Sequence, residues 1–307
     1  MITTHTYSGI VWLDTESPTD EEASGLVRRY GLHPLVGEEL KRSSSLAKVE
    51  FYKDYLLVVL TLPTRVKNGV SYEIADREID FVIGKNFLIT SRTDTIEQLE
   101  YFGKIFDANS ILNKDEKIEH AGMLFYYMVR RIYSGMIDDL ENIKDALLEA
   151  ETRTFSGDER KMVEVLSNLS RELIDIEQTA SIHRDIWDKM IKIDAKELFG
   201  ADFNSYVWSI RGEFNIIHEL IKNARELLAD LRRTNDSLLN AKQNEIIKVL
   251  TLVSFVFYPI TFIAAIFTIP AISVPLIKGS SGWWIIIGFM AILTIGIWFY
   301  FKKRKWL

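Results

Sequence analysis

The sequence predicts an α+β domain followed by long helices and two transmembrane helices. Short apolar runs rich in β-branched residues occupy the N-terminal part, helical periodicity takes over near Lys114, and two long uncharged runs follow Lys248. The first 248 residues hold 32 of the 37 basic residues and all 43 acidic residues, whereas the last 59 hold five basic residues and no acidic one. This division separates a charged soluble part from a membrane part, and it excludes an intrinsically disordered chain.

The residue types exclude several other classes of protein. The chain has no cysteine, which excludes disulfides, thiolate metal sites and thiol catalysis. None of the five histidines pairs with another at metal-ligand spacing. Glycine-rich phosphate loops and nucleophile elbows are missing, so we predict that the chain is not an enzyme. The acidic balance before the membrane part argues against a nucleic-acid-binding domain.

Four β-rich runs are predicted in the N-terminal part, where Gly, Asp, Asn and Pro residues bound them. Gly84-Lys85-Asn86 predicts a hairpin turn between the last two runs. The residues around Thr19 have N-cap character and predict a helix through Tyr30. The four predicted strands are Ile10–Leu13, Tyr55–Leu60, Ile79–Ile83 and Phe87–Thr90.

Three long helices are predicted after Lys114. The first two are Glu116–Thr154 and Asp158–Ile193, separated by a break that contains Gly157. The third begins near Phe203 and meets no helix-breaking residue apart from Gly212 before the membrane. We therefore predict a continuous stalk of roughly 65 residues, about 100 Å long, that runs from the cytoplasm into the bilayer.

Apolar residues of the stalk recur at alternating intervals of three and four, which is a heptad seam. Two interpretations stay open. The seam predicts self-association, or it predicts an intrachain bundle with the two preceding helices. Its members are Val207, Ile210, Phe214, Ile217, Ile221, Ala224, Leu228, Leu231 and Leu238.

The two uncharged runs are each long enough to cross a bilayer, which needs roughly 20 apolar helical residues. Pro270 and Pro275 predict the end of the first helix, and Trp283 predicts the start of the second. The positive-inside tendency places the basic C-terminus in the cytoplasm, and two crossings place the N-terminal domain there as well. We predict a cell-membrane protein with both termini cytoplasmic. Its predicted segments are a cytoplasmic α/β domain (1–113), long cytoplasmic helices (114–202), a stalk running into transmembrane helix 1 (203–269), an external loop (270–282), transmembrane helix 2 (283–301) and a basic cytoplasmic tail (302–307).

Hydroxyl-bearing residues of the first membrane helix share one helical face. Polar groups in hydrocarbon are costly unless they are partnered or hydrated. The stripe therefore predicts the wall of a pore at the axis of an oligomer, hydrogen bonds between helices, or hydroxyls bonded to their own backbone. It contains no carboxylate, so a cation would keep its water, which suits Mg²⁺. The stripe comprises Asn244, Ile247, Thr251, Ser254, Tyr258, Thr261, Ala265 and Thr268.

The chain resembles the CorA family of divalent-cation transporters nearly from end to end. The resemblance implies a homopentamer with a funnel-shaped cytoplasmic domain, a stalk helix that lines the pore and a second membrane helix outside it. Carried over residue by residue, the resemblance implies that the pore is lined by Asn244, Ile247, Leu250, Tyr258 and Thr261. Leu250 would be the hydrophobic constriction. The adjacent Thr251 of the stripe is also retained as a pore-lining residue, because neighbouring residues of a helix can both border a pore. The matching segments are Gly31–Leu35, Phe81–Thr90, Asn244–Thr251, Tyr258–Phe267 and Tyr300–Leu307, and the last implies a cytoplasmic basic ring of Lys302, Lys303, Arg304 and Lys305.

The sequence departs from the family at the outer mouth of the predicted pore. Thr268-Ile269-Pro270 stands where the family has Gly-Met-Asn, and proline supplies neither a side-chain oxygen nor an N–H. Ala265 replaces a glycine of the preceding turn. Ser209 stands where the family places an aspartate of its regulatory cation site. These departures leave the metal-binding residues of this chain unknown.

The expected function is transport of divalent cations through the axial pore of a homo-oligomer, with Mg²⁺ first and Zn²⁺, Co²⁺ or Ni²⁺ second. The alternative is a CorA-like membrane scaffold or regulator that does not transport. The expected partners are further copies of the chain, the lipid bilayer and divalent cations, without nucleic acid. No cofactor is expected apart from a transported or regulatory cation.

Overall fold

The computed structural model describes residues 2–7, 9–42, 47–68, 71–112, 118–267 and 282–303. Residues Met1–Arg233 form one compact unit and Thr234–Leu307 form a second. The elements are β1 (Ile2–Tyr7), β2 (Ile10–Glu16), α1 (Asp20–Tyr30), α2 (Pro34–Glu39), β3 (Lys48–Phe51), β4 (Tyr55–Asn68), β5 (Ser71–Gly84), β6 (Phe87–Arg92), α3 (Glu97–Leu112), α4 (Ala121–Phe155), α5 (Glu159–Met190), α6 (Lys196–Phe199), α7 (Phe203–Phe267) and α8 (Gly282–Lys303).

The first unit contains a six-stranded sheet in the order β1-β2-β6-β5-β4-β3. Only the pairing of β2 with β6 is parallel, and the other neighbours run antiparallel. The predicted hairpin at Gly84–Asn86 is confirmed, because β5 ends at Gly84 and β6 begins at Phe87. The four predicted strands are all present, and the sheet adds β1 and β3 to them.

Both faces of the central strands are buried, which explains their continuous apolar runs. Alternate residues of a strand point to opposite faces. Leu56, Val58 and Leu60 of β4 therefore pack with the long helices, whereas the intervening Leu57 and Val59 pack with α1 and α2. The sheet is the middle layer between these two groups of helices.

The starts of α1, α2 and α4 in this unit have side-chain caps. Thr19 and Glu22 form a capping box at α1, where the sequence predicts N-cap character. His33 and His120 accept backbone hydrogen bonds at the starts of α2 and α4 through Nδ1. Helix α4 begins at Ala121 rather than at the predicted Glu116, because His120 supplies the cap.

The seam of α7 settles the choice between self-association and an intrachain bundle. Its members from Val207 to Leu231 are buried in the same core as the apolar residues of α4 and α5. Arg211 of α7 pairs with Asp188 of α5 at 2.8 Å, and Arg225 pairs with Glu177. The intrachain bundle is therefore the one the structure forms. This part of the seam needs no second copy of the chain, and the inference of self-association from it is wrong.

Helix α7 is continuous over 65 residues, with Pro259 inside it. The predicted continuity of this helix is thus confirmed, its course from cytoplasm into bilayer stays a prediction, and α8 covers the residues of the predicted second membrane helix. In the second unit, Phe255 of α7 and Phe301 of α8 lie with ring centroids 5.9 Å apart. Residues 270–281 of the predicted external loop (270–282) and the tail from Arg304 onward lie outside the described residues, and Gly282 is the first residue of α8.

Candidate functional site

The residues predicted to line a pore lie along one face of α7 and are accessible on the single chain. Ile247 is 50% exposed, Leu250 is 65% exposed and Tyr258 is 75% exposed. Asn244, Thr261 and Ala265 are exposed as well, and Thr251 and Ser254 are half-buried. The structure thus places all the described members of the stripe on one surface. Thr268, Ile269 and Pro270 lie outside the described residues.

Helix α8 packs against a different face of α7. Leu252 is buried, and Phe255 and Pro259 line a groove with residues of α8. At 3.6 residues per turn, this face is about one third of a turn around the helix from the stripe. The second membrane helix therefore leaves the stripe uncovered.

Three hydroxyls of the stripe are bonded to the backbone of their own helix. Thr251 donates to the Ile247 carbonyl at 2.7 Å, Ser254 to the Leu250 carbonyl at 2.9 Å, and Thr261 to the Phe257 carbonyl at 2.9 Å. This is the third of the three interpretations given above. The need of these hydroxyls for a partner therefore gives no support to a pore, because their own helix supplies one.

The basic ring predicted at the C-terminus is described in part. Lys302 and Lys303 form the last turn of α8 and are exposed. The Lys302 ammonium lies 4.7 Å from the centroid of the Trp298 ring, a cation–π contact. Arg304 and Lys305 lie outside the described residues.

The first unit holds an ion pair between the sheet and the helices. Arg65 of β4 contacts Glu172 of α5 at 3.0 Å, and both side chains are largely buried. Burial raises the pKa of the nearby Asp139 to about 6, with Arg65 opposing the shift and Asp138 adding to it. Within the described ranges, no three His, Asp or Glu side chains are grouped to hold a metal ion.

Ser209, which stands at the expected regulatory position, lies with its hydroxyl 3.3 Å from the Tyr126 hydroxyl. A hydroxyl pair of this kind carries no negative charge. It therefore cannot replace the carboxylate that a hard divalent cation prefers.

Sequence reasoning missed two buried polar groups. His183 is fully buried, with Nδ1 2.9 Å from the Tyr133 hydroxyl and Nε2 2.9 Å from the Thr61 carbonyl oxygen. Asp80 of β5 is 3% exposed, and its Oδ1 has no hydrogen-bond partner among the described residues. Burial raises the pKa of Asp80 well above its usual range, and Glu78 and Glu39 add to the shift. A charged residue inside the apolar run Ile79–Ile83 was the available signal for Asp80.

Two helices are long and apolar enough to span a bilayer by length and composition: Phe203–Ile266 and Trp284–Lys303. In the apolar 18-residue stretch of each helix, only 6% is buried. Core helices of soluble proteins would have these stretches mostly buried. The fold is therefore that of a membrane protein with an α+β domain, long helices and two candidate spans.

The chain belongs to the CorA-like Mg²⁺ transporter protein family, whose profile matches residues 7–303. This finding confirms the family resemblance given by the sequence. The family is one of transporters, which agrees with the expectation that the chain is not an enzyme.

Individual relatives agree with this assignment over nearly the whole chain. The cobalt/magnesium transport protein CorA of Thermotoga maritima is 24% identical over 322 residues, covering 99% of this chain and 88% of the relative. The solved CorA magnesium transporter of Methanocaldococcus jannaschii superposes with a TM-score of 0.83 at 20% identity, covering 97% of this chain and 92% of that one. The full-length CmaX protein superposes with a TM-score of 0.73 at 17% identity, covering 97% and 89%.

Proposed function

We propose that this chain transports divalent metal cations, Mg²⁺ first, through the axial pore of a homopentamer in the cell membrane. Membership of a magnesium transporter family supports the class of cargo. The observation that carries the proposal is the stripe on α7, which lies on a different face of the helix from α8 and is exposed or half-buried along its described length. Two helices cannot enclose a pore, so several copies of the stripe must face a common axis.

The chemistry of the stripe suits a hydrated cation. No carboxylate lies in it, so an ion would meet hydroxyl, amide and carbonyl oxygens and would not be held tightly. Mg²⁺ gives up its water reluctantly and is usually bound with several waters in place. Zn²⁺, Co²⁺ and Ni²⁺ bind nitrogen ligands more readily than Mg²⁺ does, and the stripe has no histidine to attract them.

Orientation follows from the distribution of charge. Lys302 and Lys303 end α8, and positively charged ends of membrane helices stay in the cytoplasm. We infer that both termini and the α+β domain are cytoplasmic. Cleavage of the N-terminal domain by protease added outside intact cells would contradict this orientation.

The direct test is cation uptake by purified protein in liposomes that contain a Mg²⁺-sensitive dye. We expect uptake that depends on external Mg²⁺ and on the protein, and parallel assays with Zn²⁺, Co²⁺ and Ni²⁺ would rank the ions. Mass measurement in detergent gives the number of copies independently, and a monomer or dimer as the only species would refute the pore. No flux of any divalent cation from a correctly assembled pentamer would refute transport.

A second candidate function is a CorA-like membrane scaffold that does not conduct. The specific observation in its favour is Thr268-Ile269-Pro270 at the place of Gly-Met-Asn, together with the uncharged contact of Ser209. An assembled oligomer without flux would support this candidate. Uptake of any divalent cation would eliminate it.

A further inference from the structure

The second unit contains an apolar groove between α7 and α8. The groove has a volume of about 610 Å³. Gly296 lines the groove, and a Cβ built on this glycine would have no heavy atom within 4 Å, so the groove is open there. The lining residues are Phe255, Pro259, Leu293, Gly296, Ile297, Tyr300 and Phe301.

A second depression adjoins the groove at Gly296 and Tyr300. Phe299, Lys302 and Lys303 complete its lining, and its volume is about 490 Å³. The two depressions share Gly296 and Tyr300, so an apolar channel leads to a doubly positive end. Both lysines are exposed and can reach a negatively charged group at the membrane surface.

The length of this surface matches one leaflet of a bilayer. From Leu293 to Lys303 a helix rises about 15 Å at 1.5 Å per residue. The hydrocarbon core of a bilayer is about 30 Å thick, so one leaflet is about 15 Å thick. With the lysines at the level of the head groups, Leu293 lies near the middle of the bilayer.

We propose that the groove between α7 and α8 binds an anionic phospholipid, with an acyl chain beside Gly296 and the phosphate at Lys302 and Lys303. The apolar lining suits the acyl chain, and basic residues next to a membrane helix attract anionic head groups. A zwitterionic lipid would fill the same groove but would gain less from the lysines. The proposal does not depend on cation transport.

The test is native mass spectrometry of the full-length protein in detergent, titrated with phosphatidylglycerol or with phosphatidylcholine. We expect the parent protein to retain phosphatidylglycerol in preference to phosphatidylcholine. The variant Gly296→Leu should retain less of both lipids because its side chain occupies the groove, and Gly296→Ala should lie between it and the parent. The double variant Lys302→Gln/Lys303→Gln should lose the preference for phosphatidylglycerol, because each lysine removed lowers the affinity for this lipid about fivefold.

Gly288→Leu is the matched control. A Cβ at Gly288 also meets open space, and this residue lies more than a third of a turn around α8 from Leu293. It should retain lipid like the parent. Equal retention by Gly296→Leu, Gly288→Leu and the parent would overturn the proposal, as would equal binding of the two lipids by the parent. A change in the number of copies caused by Gly296→Leu but not by Gly288→Leu would also overturn it, because a second copy would then fill the groove.

Discussion

Acidification should destabilise this protein through His183, which lies in a buried network of α4, α5 and β4. The Thr61 carbonyl can only accept, so Nε2 carries the proton and donates to it. Nδ1 then accepts from the Tyr133 hydroxyl, whose oxygen accepts from the Trp187 indole at 2.7 Å. When the imidazole is neutral, both of its nitrogens and the Tyr133 hydroxyl have hydrogen-bond partners in this network. Protonation would turn Nδ1 into a second donor that faces a donor.

The magnitude follows from the pKa. Burial lowers the pKa of His183 from 6.5 to about 4, and the Thr61 carbonyl opposes the shift. Between these values the unfolded chain binds a proton that the folded chain does not, so the free energy of unfolding falls as the pH falls. At about 1.4 kcal/mol per pKa unit, the free energy of unfolding is lower than at neutral pH by about 2 kcal/mol at pH 5, and by about 3 kcal/mol once the pH is below 4. Above about pH 7 the loss vanishes.

The assay is urea unfolding of the full-length protein in detergent at about pH 7.5 and about pH 5, followed by tryptophan fluorescence. His183→Gln removes the titrating group, so its pH dependence should be smaller than that of the parent by about 2 kcal/mol. It should also be less stable at the higher pH, since the smaller amide leaves part of the buried volume of the imidazole ring unfilled. His218→Gln, at a half-buried position of α7, is the control for loss of a histidine outside the network. The same pH dependence in His183→Gln and the parent would refute the argument.

Two further predictions concern Asp80 and the pore. The pKa of the buried Asp80 is raised, so its folded form holds a proton that the unfolded chain releases, and the free energy of unfolding falls as the pH rises from about 4. Asp80→Asn should therefore raise the melting temperature relative to the parent at pH 8, and raise it less at pH 4. Thermal unfolding followed by circular dichroism measures both values. A rise in melting temperature that does not depend on pH would contradict the burial argument. In the proposed pore, Leu250→Ser should hydrate the apolar constriction and raise basal Mg²⁺ leak into liposomes several-fold, whereas Ile292→Ser on the exposed face of α8 should leave it unchanged; equal leak from both variants and the parent would show that Leu250 does not restrict the pore.

The elements with strong periodicity were predictable from the sequence. The long helices follow from apolar residues spaced three and four apart, and the central strands follow from short apolar runs. The edge strands β1 and β3 were missed because an edge strand has fewer buried positions: all four residues of β3 are at least partly exposed. The heptad seam from Val207 was ambiguous, since α4 and α5 offer the same apolar surface as a second copy would. Only tertiary contacts distinguish these two cases.

The candidate site was predictable in position but not in its hydrogen bonding. A spacing of three and four is enough to place Thr251, Ser254 and Thr261 on one face of a helix. It gives no information on side-chain rotamers, and these decide whether a hydroxyl points outward or bonds to the carbonyl four residues earlier. The His183 network brings together residues that are far apart in the chain, so no local pattern marks it.

The inward-turned hydroxyls of α7 have a consequence for ion selectivity. The hydroxyls of Thr251, Ser254 and Thr261 each donate their single hydrogen bond to a backbone carbonyl of the same helix. What remains available at each oxygen is a lone pair, so these three residues form an acceptor-only surface. On a pore wall, such a surface favours cations and the hydrogens of their water. Chloride or phosphate, which needs donors, would find none from these three side chains, so these positions of the proposed wall would discriminate against anions without carrying any charge.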